Sequence, residues 1–386
     1  MPDAPPRPGP GAAGMPRAHE AVTPDFATVV EQALHGVPSG ADGTELWSAL
    51  GRNGILRDLY GEAAQPTPDR MSTLLTSVDA RADNGTTLRV LVQTASALPL
   101  LRSCPGPSCA AAYAQALNGD AQVALAATDS AAPGSDLTAL GTEVDIDGGT
   151  LTLRGGKRWV TGLLSAQHVL VLARHRPGRH FTSFTWVRVP RDAPGVHREP
   201  AGNTLLNSAD IGHLTLREVR LPRTHLVGRP GRALASFARH MATERLAGAQ
   251  WATALARRTL TATHRHLLAR ESGGEPLWHN PAVRQTFASS LVDLAQLQAL
   301  VQAQTPRIAQ DRDLNAAVLL KAAVGMTLDS VLARCAQLQG ADGMADGGAQ
   351  HIRAETAVCS LGGGATELML AQLADGAEAA LKTPAP

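Results

Sequence analysis

The sequence predicts an α+β protein with an N-terminal helical domain, a central β domain and a C-terminal four-helix bundle. Three observations lead to this class. Apolar residues recur at spacings of three and four up to about residue 119, alternate with polar ones from about 120 to 228, and then return to long helical patterns. This order lacks the βα alternation of a Rossmann fold. A chain of 386 residues has room for three domains.

The first domain is predicted over residues 25–119. Residues 1–24 are rich in Pro, Ala and Gly and lack the apolar core of a signal peptide, so we expect a disordered tail there. The segments ELWSALGRNGIL and DRMSTLLTSVDARAD then show helical periodicity, and GADG and RSCPGPS mark turns. These patterns indicate an all-helical domain.

The central domain is predicted over residues 120–228 and the last domain over 229–386. Period-two alternation, which is typical of strands, occurs in TLTLRGGKRWV, QHVLVLARH, HFTSFTWVRV and HLTLREVRL. Beyond Gly228, helical patterns run roughly over 232–270, 281–305, 311–340 and 364–381. Their lengths suit a helix bundle.

Composition argues against several classes of function. With 35 basic and 34 acidic residues the net charge is +1, so bulk electrostatics favours neither nucleic acid nor a membrane surface as a partner. No apolar run looks long enough and free enough of polar residues to span a bilayer, and we expect a soluble cytoplasmic protein. Since no CxxC pair or His cluster is present, we expect no metal site and four reduced thiols: Cys104, Cys109, Cys335 and Cys359.

Two features of the C-terminal region bear on chemistry. Gly362, Gly363 and Gly364 precede a helix but follow no strand, which argues against a nicotinamide dinucleotide site. Glu244 lies on a helical stripe of mostly apolar residues, and a carboxylate buried there should be harder to ionise and therefore more basic. An ion pair with an arginine of another helix would explain a lone glutamate equally well.

Several motifs occur in a fixed order from about Glu45 onward: ALAATDSAAPGSD, GGKRWVTG, LREVRLPRTHLVG, TERLAGA, QLQGADG and GGGATEL. In this order and spacing the chain resembles the acyl-CoA dehydrogenase family. The resemblance implies that family's fold and FAD as the cofactor.

The resemblance also implies residues that bind the flavin. Thr128 would place a hydroxyl on its polar edge, and Gly134 with Ser135 would form a turn whose amides suit a pyrophosphate, Ser135 also approaching the substrate. Trp159 and Thr161 would pack against the ring system and hydrogen-bond to it. Without the resemblance, Trp159 reads as a core aromatic residue and Thr161 as a strand residue.

Further FAD contacts are implied in the C-terminal region, by Arg270, Gln337, Gly340, Thr366 and Glu367. Gln337 and the turn that begins at Gly340 resemble the segment that meets the flavin nucleotide of a neighbouring subunit. Two departures weaken these assignments: the usual RxxFG reads RESGG after Arg270, and the usual RDA reads Arg353-Ala354-Glu355.

The resemblance makes Glu244 the catalytic base. Many members carry the base just before the last helix, where this chain has Gly362 or Gly363, but isovaleryl and long-chain enzymes place it in an ER dipeptide on the first bundle helix. TERL supplies that dipeptide. Arg245 resembles an arginine near the substrate, or else forms a surface or interface salt bridge.

The implied activity is FAD-dependent dehydrogenation of an acyl thioester, on coenzyme A or an acyl carrier protein. An electron-transfer flavoprotein or another acceptor would take the electrons, and a homotetramer or homodimer is expected by family analogy. The Ala, Arg and Gly richness suits secondary metabolism. Two alternatives remain: a flavin-dependent monooxygenase or hydroxylase on the same fold, and a non-catalytic member.

Overall fold

The computed structural model describes residues 25–38, 41–63, 65–104, 106–134 and 136–382. The tail predicted over 1–24 and the predicted site residue Ser135 lie outside these described residues.

The N-terminal part of the chain is helical. Aspartates 25, 42 and 83 cap three of its helices by accepting hydrogen bonds from first-turn amides. A single π-helical turn, Gln93–Ala97, joins two of the helices into one continuous rod. The helices are α1 (Phe26–His35), α2 (Gly43–Arg52), α3 (Ile55–Tyr60), α4 (Pro68–Asp79), α5 (Asn84–Val92), α6 (Leu98–Arg102) and α7 (Pro107–Leu117).

The expectation of four reduced thiols is wrong for one pair of cysteines. Cys104 and Cys109 form a disulfide between α6 and α7, with their Cα atoms 5.9 Å apart. The two cysteines are five positions apart, a spacing that a search for CxxC pairs does not detect. Cys335 and Cys359 are free thiols.

The central part of the chain forms one eight-stranded sheet in the order β6-β7-β3-β2-β4-β5-β8, with β1 paired in parallel to β4. Along β3 the register against β7 shifts twice, between Leu153 and Gly155 and between Lys157 and Val160. The second of these irregularities lies at the RWV segment, where it bends the strand. The strands are β1 (Val123–Ala126), β2 (Glu143–Asp147), β3 (Thr150–Val160), β4 (His168–Arg174), β5 (Phe184–Pro190), β6 (Val196–Pro200), β7 (Gly212–Pro222) and β8 (Leu226–Val227).

The C-terminal part consists of three long helices followed by shorter ones. They are α8 (Ala233–Ala269), α9 (Pro281–Ala309), α10 (Leu314–Gln339), α11 (Ala349–Thr356), α12 (Val358–Leu361), α13 (Thr366–Asp375) and α14 (Ala377–Lys382); a hairpin of β9 (Glu271–Ser272) and β10 (Glu275–Pro276) follows α8. Two details differ from the sequence prediction. Helix α11 was not expected, and the last predicted helix is divided at Gly376, which ends α13.

Helix α10 lies at the centre of the bundle and packs on α8, α9, α11 and α13. The stretch Leu314–Met344 has the length and mean hydropathy of a membrane span, but 61% of its most apolar window is buried inside the protein. Burial against neighbouring helices accounts for an apolar helix of this length. One core joins the N-terminal helices, one face of the sheet and the bundle, and a second core fills the other face of the sheet.

Candidate active site

Glu244 lies on α8 among the residues that the stripe predicted to be buried. Met241, Trp251 and Leu255 of the same stripe are buried, and Glu244 itself is partly buried. The hydroxyl of Ser96 donates a hydrogen bond to Oε2 of Glu244. The ion pair with an arginine of another helix, which the sequence left open, does not occur among the described residues.

The environment of Glu244 makes it a stronger base than an ordinary glutamate. Burial raises its pKa, and this effect exceeds the opposing effects of the Ser96 hydrogen bond and of the cations Arg245 and Lys321. At a given pH above its pKa, a carboxylate with a raised pKa takes a proton more readily.

The glycines before α13 face this carboxylate. A Cβ placed on Gly363 would lie 3.7 Å from Oε1 of Glu244, and Gly363 has a positive φ of 71°. Because position 363 is glycine, no side chain fills the place next to Oε1, where a Cβ would be in ordinary van der Waals contact with it.

Arg245 joins the same cluster. Its Nε donates to the carbonyl oxygen of Gly363 at 3.0 Å, and the side chain is partly buried. Burial lowers the pKa of Arg245, while the neighbouring Glu244 opposes that shift. The geometry therefore differs from a surface salt bridge, and Arg245 holds the glycine turn in place beside Glu244.

Lys321 is a site residue that the sequence reasoning missed. It lies on α10, is only 6% exposed, and its ammonium group donates to the carbonyl oxygen of Cys359. Burial lowers its pKa. The available signal was a single lysine within the apolar stretch AAVLLKAAVG of α10, since a lysine in such a position is rarely buried without a function or a partner.

Thr366 and Glu367 begin α13, directly after the glycine turn. Thr366 is buried, and its hydroxyl donates to the carbonyl oxygen of Ser360 at 3.3 Å, whereas Glu367 is exposed. The hydroxyl of Thr366 is thus already hydrogen-bonded inside the protein. If these two residues contact FAD as predicted, their backbone N–H groups at the start of α13 would make the contact.

A second group of predicted residues meets at the end of β1 and β3. A Cβ on Gly134 would lie 3.1 Å from Cγ2 of Thr128, so the turn at Gly134 is in close contact with that side chain. The carbonyl oxygen of Thr128 accepts from the backbone N–H of Arg158 at 3.1 Å. The loop that carries Thr128 and Gly134 is therefore fixed beside the RWV segment.

Trp159 is not the core aromatic residue of the alternative reading. Its side chain is 56% exposed, its φ is 57°, and it contacts His213 edge-on with ring centroids 5.2 Å apart. A bulky residue in the left-handed region is strained, and strain of this kind concentrates at ligand sites. Thr161, partly buried, lies in the turn that follows β3.

A buried ion pair supports this corner. Nζ of Lys157 lies 3.2 Å from Oδ2 of Asp129 and 3.1 Å from the carbonyl oxygen of Ala127, and both charged side chains are buried. Burial lowers the pKa of Lys157 to about 8 against the attraction of Asp129. Asp129 lies in the motif ALAATDSAAPGSD and Lys157 in GGKRWVTG, but the two residues are 28 positions apart and their pairing is not visible in the sequence.

The residues around Trp159 fit the flavin ring system of FAD. Trp159 offers an exposed apolar face in a strained conformation, and the loop that carries Thr128 and Gly134 is hydrogen-bonded to the preceding residue, Arg158. Among the described residues, no group of three His, Cys, Asp or Glu side chains is arranged to hold a metal ion.

A third group lies at the far end of α8. Arg270, Gln337 and Gly340 line one cavity of about 440 Å³ between the ends of α8 and α10 and the start of α9. Nη1 of Arg270 lies 3.5 Å from Oδ2 of Asp342, and both side chains are more than half exposed. The three predicted residues thus share one cavity, and their contact with FAD across a subunit interface stays a prediction.

A helical domain, a sheet and a helix bundle with a basic buried carboxylate and an exposed aromatic platform form the arrangement of a flavin-dependent dehydrogenase. The chain matches the family model for the acyl-CoA dehydrogenase middle domain over residues 124–219 and the one for the acyl-CoA dehydrogenase C-terminal domain over residues 233–378. Since these matches together span more than half of the chain, the protein belongs to the acyl-CoA dehydrogenase family, whose members are FAD-dependent oxidoreductases.

Individual relatives agree with this assignment. The chain is 26% identical to the acyl-[acyl-carrier-protein] dehydrogenase MbtN of Mycobacterium sp. (strain MCS), with 78% of this chain and 76% of that protein covered. It is 24% identical to the cyclohex-1-ene-1-carbonyl-CoA dehydrogenase of Geobacter metallireducens, with coverage of 72% and 74%.

Solved structures confirm the predicted fold class. An acyl-CoA dehydrogenase from Geobacillus kaustophilus superposes with a TM-score of 0.84 at 18% identity, covering 92% of this chain and 97% of that chain. A glutaryl-CoA dehydrogenase from Mycobacterium smegmatis in complex with FADH2 gives a TM-score of 0.81 at 19% identity, with coverage of 91% and 93%.

Proposed function

We propose that this protein oxidises an acyl thioester to the α,β-enoyl thioester, with Glu244 as the base. The observation that carries the proposal is the Glu244 carboxylate itself: it is partly buried, its pKa is raised by that burial, and its Oε1 faces Gly363, which has no side chain to cover it. In the reaction the α C–H bond breaks and its proton goes to Glu244, while the β hydrogen leaves as hydride. FAD, when bound, supplies the acceptor for that hydride.

The surroundings of Glu244 suit this reaction. Removing a weakly acidic proton creates negative charge on the substrate, and preorganised positive charge nearby stabilises it. Arg245 and Lys321 both lie close enough to influence the ionisation of Glu244. With Glu244 ionised, these three side chains carry a net positive charge, which favours an enolate-like transition state.

We infer that the acyl group is carried by a carrier protein's phosphopantetheine rather than by free coenzyme A. Support comes from two MbtN proteins, both named acyl-carrier-protein dehydrogenases, which match 78% of this chain. Other relatives with lower coverage are named acyl-CoA dehydrogenases. The discriminating measurement compares kcat/KM for one acyl group on an acyl carrier protein and on coenzyme A. A preference for coenzyme A would reverse this assignment.

The activity is tested by the visible spectrum of the FAD-loaded protein under anaerobic conditions. We expect saturated acyl thioesters to bleach the flavin in the wild-type protein. Substituting Glu244→Gln should abolish bleaching while FAD stays bound, because the amide cannot accept the α proton. The matched control is Glu218→Gln, an exposed glutamate on β7, which should bleach as fast as wild type.

Other results would support the alternatives. Oxygen consumption with supplied reduced flavin, without bleaching by thioesters, indicates a monooxygenase. A protein that binds no flavin in any form indicates a non-catalytic member. Electron transfer to an electron-transfer flavoprotein and assembly as a homotetramer or homodimer are further proposals, tested by reoxidation with that protein and by sedimentation.

A further inference from the structure

The rod formed by α5 and α6 is interrupted by the π-helical turn Gln93–Ala97, where the N–H of Leu98 donates to the carbonyl oxygen of Gln93, five residues back. Pro99 follows directly. A proline inside an α-helix cannot donate to the residue four before it and its ring collides with that carbonyl group, so the wider turn accommodates it. The extra residue rotates the rest of the rod by about 100° relative to α5.

This turn directs the side chain of Ser96 toward α8. Ser96 is 1% exposed, and its hydroxyl donates to Oε2 of Glu244. A buried serine or threonine in a helix usually bonds to a carbonyl group of its own helix. Thr94, two residues earlier, does so: its hydroxyl donates to the carbonyl oxygen of Val90 at 2.6 Å. The hydroxyl of Ser96 instead joins the N-terminal helices to the base.

The two oxygens of Glu244 consequently have different surroundings. Oε2 accepts the Ser96 hydrogen bond, whereas Oε1 lies 3.7 Å from where a Cβ of Gly363 would be. The hydrogen bond to Oε2 restrains rotation of the carboxylate about its last bond and keeps Oε1 on the side of Gly363. Oε1 accepts no hydrogen bond from the residues that the structure describes, so it is the oxygen placed to receive a proton.

The charged and titratable groups around Glu244 come from three elements. On α8 they are Arg245 and the buried His240, whose pKa is lowered to about 4 mainly by burial, so His240 is neutral near neutral pH. On α10 it is Lys321, and on α12 it is Cys359, a thiol whose pKa burial raises to about 11. The hydrogen bond to the Glu244 carboxylate comes from Ser96, which is uncharged.

We propose that Ser96 is a positioning residue for the base: it fixes Oε2 of Glu244 so that Oε1 points at the α proton of the substrate. This inference rests on the proposed function, in which Glu244 is the base. Ser96 also stabilises the ionised form of the carboxylate, because a hydrogen bond to a charged acceptor is stronger than one to a neutral acceptor.

The test compares Ser96→Ala with Thr94→Val in the FAD-loaded protein. Each variant removes one buried hydroxyl from the same rod, but only the first touches Glu244. The limiting rate of anaerobic flavin reduction is measured against pH with a saturated acyl thioester, on an acyl carrier protein or on coenzyme A, that bleaches the wild type. For Ser96→Ala we expect a plateau roughly tenfold lower and an acid limb shifted to higher pH by about one unit. Thr94→Val should keep the wild-type plateau and limb.

A second variant, Ser96→Cys, tests the same role if Ser96→Ala does not fold. Ser96→Cys keeps the size but donates only weakly, and its acid limb should lie between those of wild type and Ser96→Ala. Wild-type pH profiles in both Ser96 variants, or an equal loss in Thr94→Val, would overturn the role of Ser96. Bleaching that survives in Glu244→Gln overturns the base assignment itself, so the two failures are distinct.

Discussion

Oε1 of Glu244 lies 3.7 Å from the point that a Cβ on Gly363 would occupy. The Glu244 carboxylate therefore reaches from α8 to the glycine turn that precedes α13. By the resemblance, other members of the family carry their base in that turn. A carboxylate at either of two positions far apart in the sequence could thus reach the same place in the site. Glycine at 363 leaves that place to the side chain of Glu244.

Moving the carboxylate should restore part of the activity. Glu244→Ala should abolish bleaching, and adding Gly363→Glu should recover a measurable rate, because the new side chain starts next to the vacated position. Full recovery is not expected, since a non-glycine residue at φ 71° is strained by about 1–2 kcal/mol. The measurement is the anaerobic reduction rate of the single and double variants. A double variant as inert as Glu244→Ala would show that the turn cannot present a base here.

Lys321 should set the pH range in which Glu244 works. Its positive charge lowers the pKa of Glu244, so Lys321→Met should raise that pKa. The base acts as the carboxylate, and the rate should therefore fall more below neutral pH than above it. The pH profile of flavin reduction checks this, with Lys321→Arg as the variant that keeps the charge.

Urea unfolding distinguishes an effect of Lys321 on the pKa of Glu244 from a role of Lys321 in the stability of the fold. Replacing Lys321 with methionine removes a desolvated charge, but it also takes the donor away from the carbonyl oxygen of Cys359, and these two effects on stability oppose each other. We expect Lys321→Met to unfold in urea at a concentration close to that of wild type while its pH profile shifts. An unchanged profile together with lower stability would assign Lys321 to the fold alone.

The sequence allowed the domain order and the position of Glu244 to be predicted, because both depend on local periodicity and motif order. The partners of Glu244 could not be found in this way. Ser96 reaches it only through a π-helical turn, and Lys321 only through the packing of α10 on α8. Contacts between elements depend on how helices pack, which no single segment encodes. The Cys104–Cys109 pair was missed for a different reason, because its spacing of five positions falls outside the CxxC pattern.

Breaking the buried pair of Asp129 and Lys157 should destabilise the protein strongly. Asp129→Asn leaves the Lys157 ammonium buried without its counter-ion, and loss of one partner of a buried pair costs about 3–5 kcal/mol. The matched control is Glu218→Gln, which breaks the exposed pair with Arg154 and should cost about 0–1 kcal/mol. Urea unfolding at neutral pH measures both; equal effects would contradict the argument from burial.

The ion pair of Asp129 and Lys157 also predicts how the stability of the protein depends on pH in acid. Burial raises the pKa of Asp129, but Lys157 and the hydrogen bonds from Thr142 outweigh it, so the pKa lies below its ordinary value of 3.8. A carboxyl group with a lowered pKa in the folded state stabilises the protein above its unfolded pKa and loses that effect as the pH falls through the folded one. The wild type should therefore lose stability more steeply than Asp129→Asn as the pH falls below about 4.

Substitutions of Trp159 should lower FAD binding with little effect on the free energy of unfolding. Trp159→Gly removes an exposed side chain from a left-handed conformation that glycine adopts freely, so the unfolding free energy of the FAD-free protein should change by no more than about 1 kcal/mol. The FAD content after purification should fall, because the aromatic face that packs against the flavin ring system is lost. Trp159→Phe, which keeps an aromatic ring, should retain more FAD than Trp159→Gly. If instead the glycine variant kept its flavin and lost several kcal/mol, Trp159 would stabilise the fold in spite of its exposure, and the strained bulge at the end of β3 would need another cause.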